Sequence, residues 1–197
     1  EADYSGMNLY ATHQELDALG RITSKTETIA GETHTYTYAY DAIGQLTDVY
    51  KDGNLLSHYD YDDNGNRLSR SGQGGTLSGT YDDQDRLIAY GDASYEYTAN
   101  GELLSVTDSS GTTSYSYDAL GNLTSVILAD GRRIDYVIDG QNRRIGKKVN
   151  GVLVQGFLYQ SELWPIAELD GAGNIVARFV YATHVNVPDY IIKGDAT

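Results

Sequence analysis

One seven-residue phrase, Tyr-Asp-x-x-Gly-x-Leu, recurs along the chain and constrains its fold more than any other feature. It is complete from Tyr40 to Leu46 and from Tyr117 to Leu123, and it carries one extra residue from Tyr61 to Leu68. Looser copies lie at 16–22, 97–103 and 169–175. Successive turn positions are 16 to 24 residues apart. A period of this size predicts an array of supersecondary units, each of which needs its neighbours to cover its apolar side chains.

Each unit reads as a β-hairpin. Tyrosine alternates with small polar residues before the phrase, as in the segment 35–40, and this period of two places the tyrosines on one face of a strand. Asp41 is expected to accept hydrogen bonds from the backbone just ahead, and Gly44 to supply the left-handed conformation that closes the turn. The residues predicted to build the repeat are Tyr40, Asp41, Gly44, Leu46, Tyr61, Asp62, Gly65, Leu68, Tyr97, Gly101, Leu103, Tyr117, Asp118, Gly121 and Leu123.

The predicted fold class is therefore all-β, with tandem hairpins forming a long, curved antiparallel sheet. We expect one continuous array over residues 1–197, with repeat phrases at about 16–181 and the start of a connecting segment at 182–197. The best helical candidate, Thr12 to Leu19, runs directly into a repeat phrase and favours no long helix.

Composition excludes several classes of function. A net charge of −14 disfavours binding to nucleic acid, because lysine and arginine supply most of that attraction. The 197 residues contain no cysteine, which excludes disulfides and thiol nucleophiles, and no apolar stretch approaches the roughly 20 residues of a membrane span. The 18 tyrosines suit sheets with a wet face, since each ring combines apolar area with a polar tip.

The phrases at 40–46, 61–68 and 117–123 resemble the YD repeats of bacterial Rhs proteins, which are related to components of toxin complexes, wall-associated proteins and teneurins. The segment 177–194 is similar to the region just before the Rhs-associated core. The resemblance implies a β-ribbon that spirals into a hollow shell around a C-terminal toxin. We accordingly expect a section of a longer, exported bacterial protein, secreted or at the cell surface.

The resemblance also implies a role. The chain is expected to be a non-catalytic part of a shell that encapsulates a polymorphic toxin and helps deliver it, with the rest of the shell and the toxin as partners. No cofactor is expected. Exposed strand edges could pair with another copy. The alternative is a β-repeat module that binds carbohydrate or a cell-surface partner, for which Trp164 is the candidate stacking residue.

Two kinds of chemical site were considered as alternatives. Asp60, Asp62 and Asn64 have the spacing of the first ligands of a calcium loop, but Ser71 stands where that loop needs glutamate, so a repeat turn is the simpler interpretation. Acidic pairs such as Asp82 with Asp85 have no spacing that selects a catalytic pair. The four histidines, at 13, 34, 58 and 184, form no metal motif, and no enzyme is predicted.

Overall fold

The computed structural model describes residues 2–4, 7–184 and 186–194. The described residues form β-strands and turns without a helix, which confirms the all-β prediction. Nothing in them could cross a membrane as a helix. Parts of the predicted array and of the predicted connecting segment, namely 1, 5–6, 185 and 195–197, lie outside the described residues.

The chain divides into two compact units, 1–92 and 93–197. In each unit, strands that follow one another in sequence pair antiparallel. The strands of the first unit, over its described residues, are β1 (Ala2–Tyr4), β2 (Met7–Leu16), β3 (Ile22–Ile29), β4 (Glu32–Tyr40), β5 (Leu46–Lys51), β6 (Asn54–Tyr61), β7 (Arg67–Gly72), β8 (Gly75–Tyr81) and β9 (Leu87–Tyr90).

The second unit continues the same pattern of antiparallel neighbours. Its strands, over the described residues, are β10 (Ala93–Tyr97), β11 (Leu103–Asp108), β12 (Gly111–Tyr117), β13 (Leu123–Ile127), β14 (Arg133–Ile138), β15 (Arg144–Val149), β16 (Val152–Tyr159), β17 (Pro165–Asp170), β18 (Ile175–Val180) and β19 (Tyr190–Lys193). Of the helical candidate Thr12 to Leu19, residues 12–16 belong to β2 because they pair with β3, and residues 17–19 lie in the turn that follows.

Two different turns join the strands. The Asp-x-x-Gly turns connect strands such as β4 and β5, and the ladder shifts register beside them, between Ala39 and Tyr40 in that hairpin. Several other strand ends carry tighter turns. Asp52 and Gly53 both have positive φ, 50° and 78°, which is the signature of a two-residue turn that matches strand twist. The two kinds do not alternate strictly, since the turns at 128–131 and 170–173 have the same backbone bonds as the turn that starts at Asp41.

The two units bury few side chains. Among the described residues the buried apolar ones are Val126, Ala167 and Ala177, and no large side chain is fully buried. Several buried positions recur seven residues after the first residue of a turn and carry small residues: Ser105, Ser125, Gly146, Ala167 and Ala177. By contrast, Leu19, Ile43 and Leu120 at turn tips are 77–78% exposed. Hydrogen bonds and strand pairing, more than a packed core, must therefore hold consecutive hairpins together.

The turn glycines offer a test of backbone strain. Gly121 has φ +82°, and a Cβ added there would meet its nearest atom only at 3.9 Å, so Gly121→Ala isolates the conformational cost of a left-handed alanine. We expect a loss of about 1–2 kcal/mol in the free energy of unfolding. The matched control is Gly140→Ala, in the neighbouring turn, where φ lies outside the left-handed region and the added atom meets nothing.

Urea denaturation of both variants makes the comparison. Gly140→Ala is expected to leave stability unchanged or slightly higher, since alanine loses less chain entropy than glycine on folding. Equal midpoints for the two variants would show that the left-handed glycine does not determine the turn.

Candidate functional site

The Asp-x-x-Gly turn is a closed hydrogen-bonded unit. In the turn that starts at Asp41, Oδ1 accepts the N–H of Ile43 at 3.0 Å and that of Gln45 at 2.8 Å. The backbone of Asp41 also exchanges bonds with Gly44 and Gln45, and Gly44 has φ +94°. One carboxylate oxygen therefore satisfies the two N–H groups that the sharp reversal leaves unpaired. The same arrangement recurs in turns that start at Asp17, Asp62, Asp82, Asp118, Asp139 and Asp170.

The second carboxylate oxygen binds the residue that follows the glycine position. Asn122 Nδ2 donates to Asp118 Oδ2 at 2.9 Å, and Arg143 Nε donates to Asp139 Oδ2 at 2.8 Å. The side-chain bond from Asn122, followed by backbone N–H groups, lowers the pKa of Asp118. In one repeat Thr98 replaces the aspartate, and its partner Glu102 supplies the carboxylate instead. The carboxylate can therefore come from either the first or the fifth residue of the turn.

Two of the turns that start with aspartate hold a residue with a side chain at the glycine position. Asp85 and Asn142 have φ +59° and +66°, a region that Asp and Asn tolerate better than most residues. Asn66 Nδ2 donates to Asp85 Oδ1 at 2.7 Å, and Asn122 donates to Asn142 in the same way. Each substitution therefore links its turn to the preceding one, because the side chain that replaces the glycine hydrogen accepts a bond from the earlier turn.

The strand tyrosines connect consecutive hairpins. Tyr61 Oη donates to the backbone oxygen of Leu46 at 2.8 Å, and Leu46 is itself the residue paired with Tyr40 of the previous phrase. Burial raises the pKa of the Tyr61 hydroxyl, so the bond forms in a partly dry setting. We call this contact the tyrosine latch. It recurs from Tyr40 to Ile22, Tyr81 to Arg67, Tyr117 to Leu103, Tyr159 to Arg144 and Tyr181 to Pro165, at 2.7–3.1 Å.

One register rule describes these latches. Asp48 pairs with His58 across the strands. Leu46 lies two residues before Asp48 and Tyr61 lies three residues after His58, and the latch joins Tyr61 to Leu46. The pairs Ser105 with Ser114 and Gly146 with Gly156 obey the same rule. Since strand register fixes the distance that a tyrosine ring must bridge, the recurrence follows from the shared register of the strand pairs.

Several of the predicted repeat residues lie in the turns and latches described here. Gly65 and Gly101 have φ +88° and +95°, and Tyr97 pairs with Leu103, whose oxygen accepts the Tyr117 latch. The phrase at 61–68 differs from its predicted alignment, because Arg67, and not Leu68, pairs with Tyr61 and accepts the next latch. The Asp62 turn has ordinary length, so Leu68 lies one place beyond the position of Leu46.

Trp164 occupies a repeat position. It follows the turn 160–163, as Arg143 follows the turn that starts at Asp139, and its ring stacks on Tyr181 with centroids 5.6 Å apart. Arg21 and Arg143 cover the rings of Tyr40 and Tyr159 from the equivalent position, at 4.7 and 5.1 Å. Trp164 Nε1 also donates to Asn186. The tryptophan thus takes the place of an arginine that packs on the next latch ring.

The residues of the calcium candidate, Asp60, Asp62 and Asn64, divide between two hydrogen-bond networks. Asp62 serves its own turn, whereas Asp60 lies on β6, accepts Ser69 Oγ at 2.6 Å and approaches His58. Asn64 Nδ2 donates to Asp85. Within the described ranges no group of three or more acidic or histidine side chains is positioned to hold a metal ion.

His58 forms the densest charged cluster on the described strands. Its Nδ1 lies 2.7 Å from Asp48 Oδ1, and its Nε2 lies 3.3 Å from Asp60 Oδ1. The bond to Asp48, with a smaller contribution from Asp60, raises the pKa of His58 above its ordinary 6.5. His34 makes a similar contact with Asp52 at 2.7 Å.

Sequence reasoning missed the latch acceptors, because a backbone oxygen has no sequence signature. The separation in sequence between acceptor and tyrosine varies from 14 to 18 residues, so spacing alone does not identify the pairs. Sequence reasoning also assigned no partner to His58. Asp48 reaches it through strand register, whereas Asp60 lies two residues further along the same strand.

Comparison with known proteins agrees with this geometry. The family model described as Teneurin YD-shell matches residues 1–170. The chain is 31% identical to Teneurin-3 of Mus musculus over 77% of this chain and 6% of that protein. It is 32% identical to the tRNA3(Ser)-specific nuclease WapA of Bacillus spizizenii over 50% of this chain and 5% of that protein. The chain therefore spans a small fraction of the relatives it matches.

A solved structure shares the fold. The Photorhabdus luminescens Tc holotoxin pore superimposes with a TM-score of 0.52 at 14% identity, over 87% of this chain and 13% of that chain. At this identity the likeness concerns the fold alone.

The latch predicts a measurable loss when one hydroxyl is removed. Tyr61→Phe keeps the ring but deletes the donor to Leu46, so the free energy of unfolding is expected to fall by about 0.5–1.5 kcal/mol. Tyr59→Phe is the matched control, since the Tyr59 hydroxyl bonds to none of the described residues and is expected to be dispensable. Thermal and urea denaturation of the two variants would measure the difference; equal stability would contradict the latch.

The His58 cluster predicts a titration shift. The NMR midpoint of His58 should lie above 6.5 and move towards that value in Asp48→Asn, because the largest stabilisation of the charged ring is removed. Asp63→Asn, which changes an exposed acid at a turn tip, is the control and should leave the midpoint unchanged.

Stability should follow the same sign. A raised folded pKa makes the His58 contribution fully present below pH 6.5 and progressively lost as pH rises through the folded value. The stability difference between the native chain and His58→Gln should therefore shrink above pH 6.5. A difference independent of pH would contradict the charged pairing.

Proposed function

We propose that this chain, which belongs to the Teneurin YD-shell family, forms a section of the wall of a shell that encloses a toxin segment and helps to deliver it. The observation that carries the proposal is the tyrosine latch. It commits the hydroxyls of latch tyrosines such as Tyr61 and Tyr117 to bonds between consecutive hairpins, so these tyrosines work within the wall and not as a platform for an external ligand.

The exposure of the sheet supports the same role. A layer whose largest described side chains are all partly exposed is incomplete as a free-standing globule, since burial of apolar area is the main favourable term in folding. Further repeats and an enclosed polypeptide would cover such a layer. Exposed strand edges could also join copies edge to edge, which we regard as the minor outcome.

The nature of the cargo is drawn from the relatives. WapA is named as a tRNA-specific nuclease and the matched solved structure is a Tc holotoxin pore, so we assign to this chain a non-catalytic role beside a toxic polypeptide of an exported bacterial protein. The described residues themselves offer turns and latches, in which the aspartate that starts each Asp-x-x-Gly turn is committed to the fold. The cargo would carry the activity.

The alternative, a carbohydrate- or cell-surface-binding module, depends on Trp164. One face of that ring lies on Tyr181, in a position where other repeats place arginine. Packing of the next latch explains this tryptophan without a sugar, and we therefore favour the shell.

Limited proteolysis tests the proposal in the complete protein that carries this chain. With the wall intact, the enclosed segment should resist proteinase for far longer than the same segment produced alone. Replacing Tyr40, Tyr61 and Tyr117 together by phenylalanine should weaken three latches and speed cleavage of the cargo. The control replaces Tyr59 alone.

Two outcomes would argue otherwise. Equal cleavage of the free segment and of the segment in the intact protein would contradict enclosure. Glycan binding that disappears in Trp164→Ala while the cargo stays accessible would instead support the binding module.

A further inference from the structure

One repeat lacks its latch. Ile138 stands immediately before Asp139, where the phrases at 40, 61 and 117 place tyrosine. Register defines the equivalence, since Ser125 pairs with Asp135 and Ile138 lies three residues beyond Asp135. Leu123 lies two residues before Ser125, so its backbone oxygen is the acceptor that a tyrosine at position 138 would reach.

The Leu123 oxygen is consequently without the hydroxyl that its counterparts receive. Leu103 and Arg144, the equivalent residues of other hairpins in the same unit, accept tyrosine hydroxyls at 3.0 and 3.1 Å. No side chain in the described part of the chain donates to Leu123. An isoleucine is shorter than tyrosine and has no donor, so it leaves the Leu123 oxygen without this bond.

A surface cleft lies at the vacant position. Its volume is ≈ 330 Å³, and its lining includes Leu123, Ile138, Tyr136 and Tyr159. This size falls at the lower end of the range of about 300–1,000 Å³ for small-molecule sites. Asn122, Asn142 and Arg144 also line the cleft, so polar as well as apolar and aromatic side chains surround the backbone acceptor.

Neighbouring contacts hold the walls of the cleft in place. Arg144 lies over the Tyr136 ring, 4.9 Å from its centroid, and its backbone oxygen accepts the Tyr159 hydroxyl. At the rim Asn122 donates to both Asp118 and Asn142. Because these groups are already tied to the fold, the cleft needs little rearrangement to accept a ring.

We infer that this cleft binds a phenol ring, which inserts against Ile138 and donates its hydroxyl to the Leu123 oxygen. The ring would reproduce, from outside, the contact that each neighbouring repeat makes with its own tyrosine. The ligand is either a small free phenol or the tyrosyl side chain of another polypeptide segment. The inference depends on the repeat geometry and not on the shell role.

NMR titration of the full 197-residue chain tests the site, with N-acetyl-tyrosinamide and p-cresol as probes. Saturable shifts are expected for the Ile138 methyl groups and the Leu123 amide, with a dissociation constant on the order of 1 mM because the cleft is open and the probes are small. N-acetyl-phenylalaninamide should bind roughly 5-fold more weakly, since it lacks the donor. Tighter binding of the tyrosinamide than of p-cresol would identify a polypeptide as the source, and equal binding a free phenol.

Two variants make the test specific. Ile138→Tyr should fill the cleft with the chain's own ring and abolish the shift of the Leu123 amide. Tyr117→Ile should open an equivalent cleft at the Leu103 oxygen and create a second set of shifts there. Shifts that persist in Ile138→Tyr, equal binding of the phenylalanine analogue, or no saturation at ten times the expected dissociation constant would each overturn the inference.

Discussion

The hydrogen bond from a strand tyrosine to the backbone oxygen of the preceding hairpin is the contact on which the rest of the structure depends. Strand pairing alone joins neighbouring strands, but a latch such as Tyr61 to Leu46 also fixes how one turn stands against the turn before it. The described residues bury only small or medium apolar side chains fully, so there is little core to perform this task. The ring covers apolar area while its hydroxyl satisfies an acceptor, which explains why tyrosine and not phenylalanine occupies the latch positions.

The turn and the latch depend on each other. An aspartate such as Asp41 closes its turn through Oδ1, and the left-handed glycine then directs the chain so that Leu46 presents its oxygen to the next tyrosine. Replacements occur where the geometry survives them. Thr98 and Glu102 exchange their roles in one turn, and Trp164 replaces arginine over the next ring. The repeats therefore share their hydrogen-bond geometry more closely than they share their amino-acid sequence.

Part of this arrangement is readable from the sequence. Period-two tyrosines, Asp-x-x-Gly turns and a spacing near 20 residues predict antiparallel hairpins, and the all-β fold is confirmed. The prediction of one array over residues 1–197 remains a prediction. The latch acceptors and the Asp48 partner of His58 could not be predicted, because they arise from register between strands. Leu68 lies one place beyond the position of Leu46 because the Asp62 turn has ordinary length.

Amide hydrogen exchange along the second unit tests the central role of the latch most directly. Strands β11 and β12 are joined across Leu103 and Tyr117 by a latch, whereas β13 and β14 meet where Ile138 leaves Leu123 without one. Both pairs lie between other strands of the same unit, so edge fraying affects neither. We predict that the opening free energy measured by amide exchange is lower for β13 and β14 than for β11 and β12. Equal protection of the two pairs, or greater protection of β13 and β14, would contradict it.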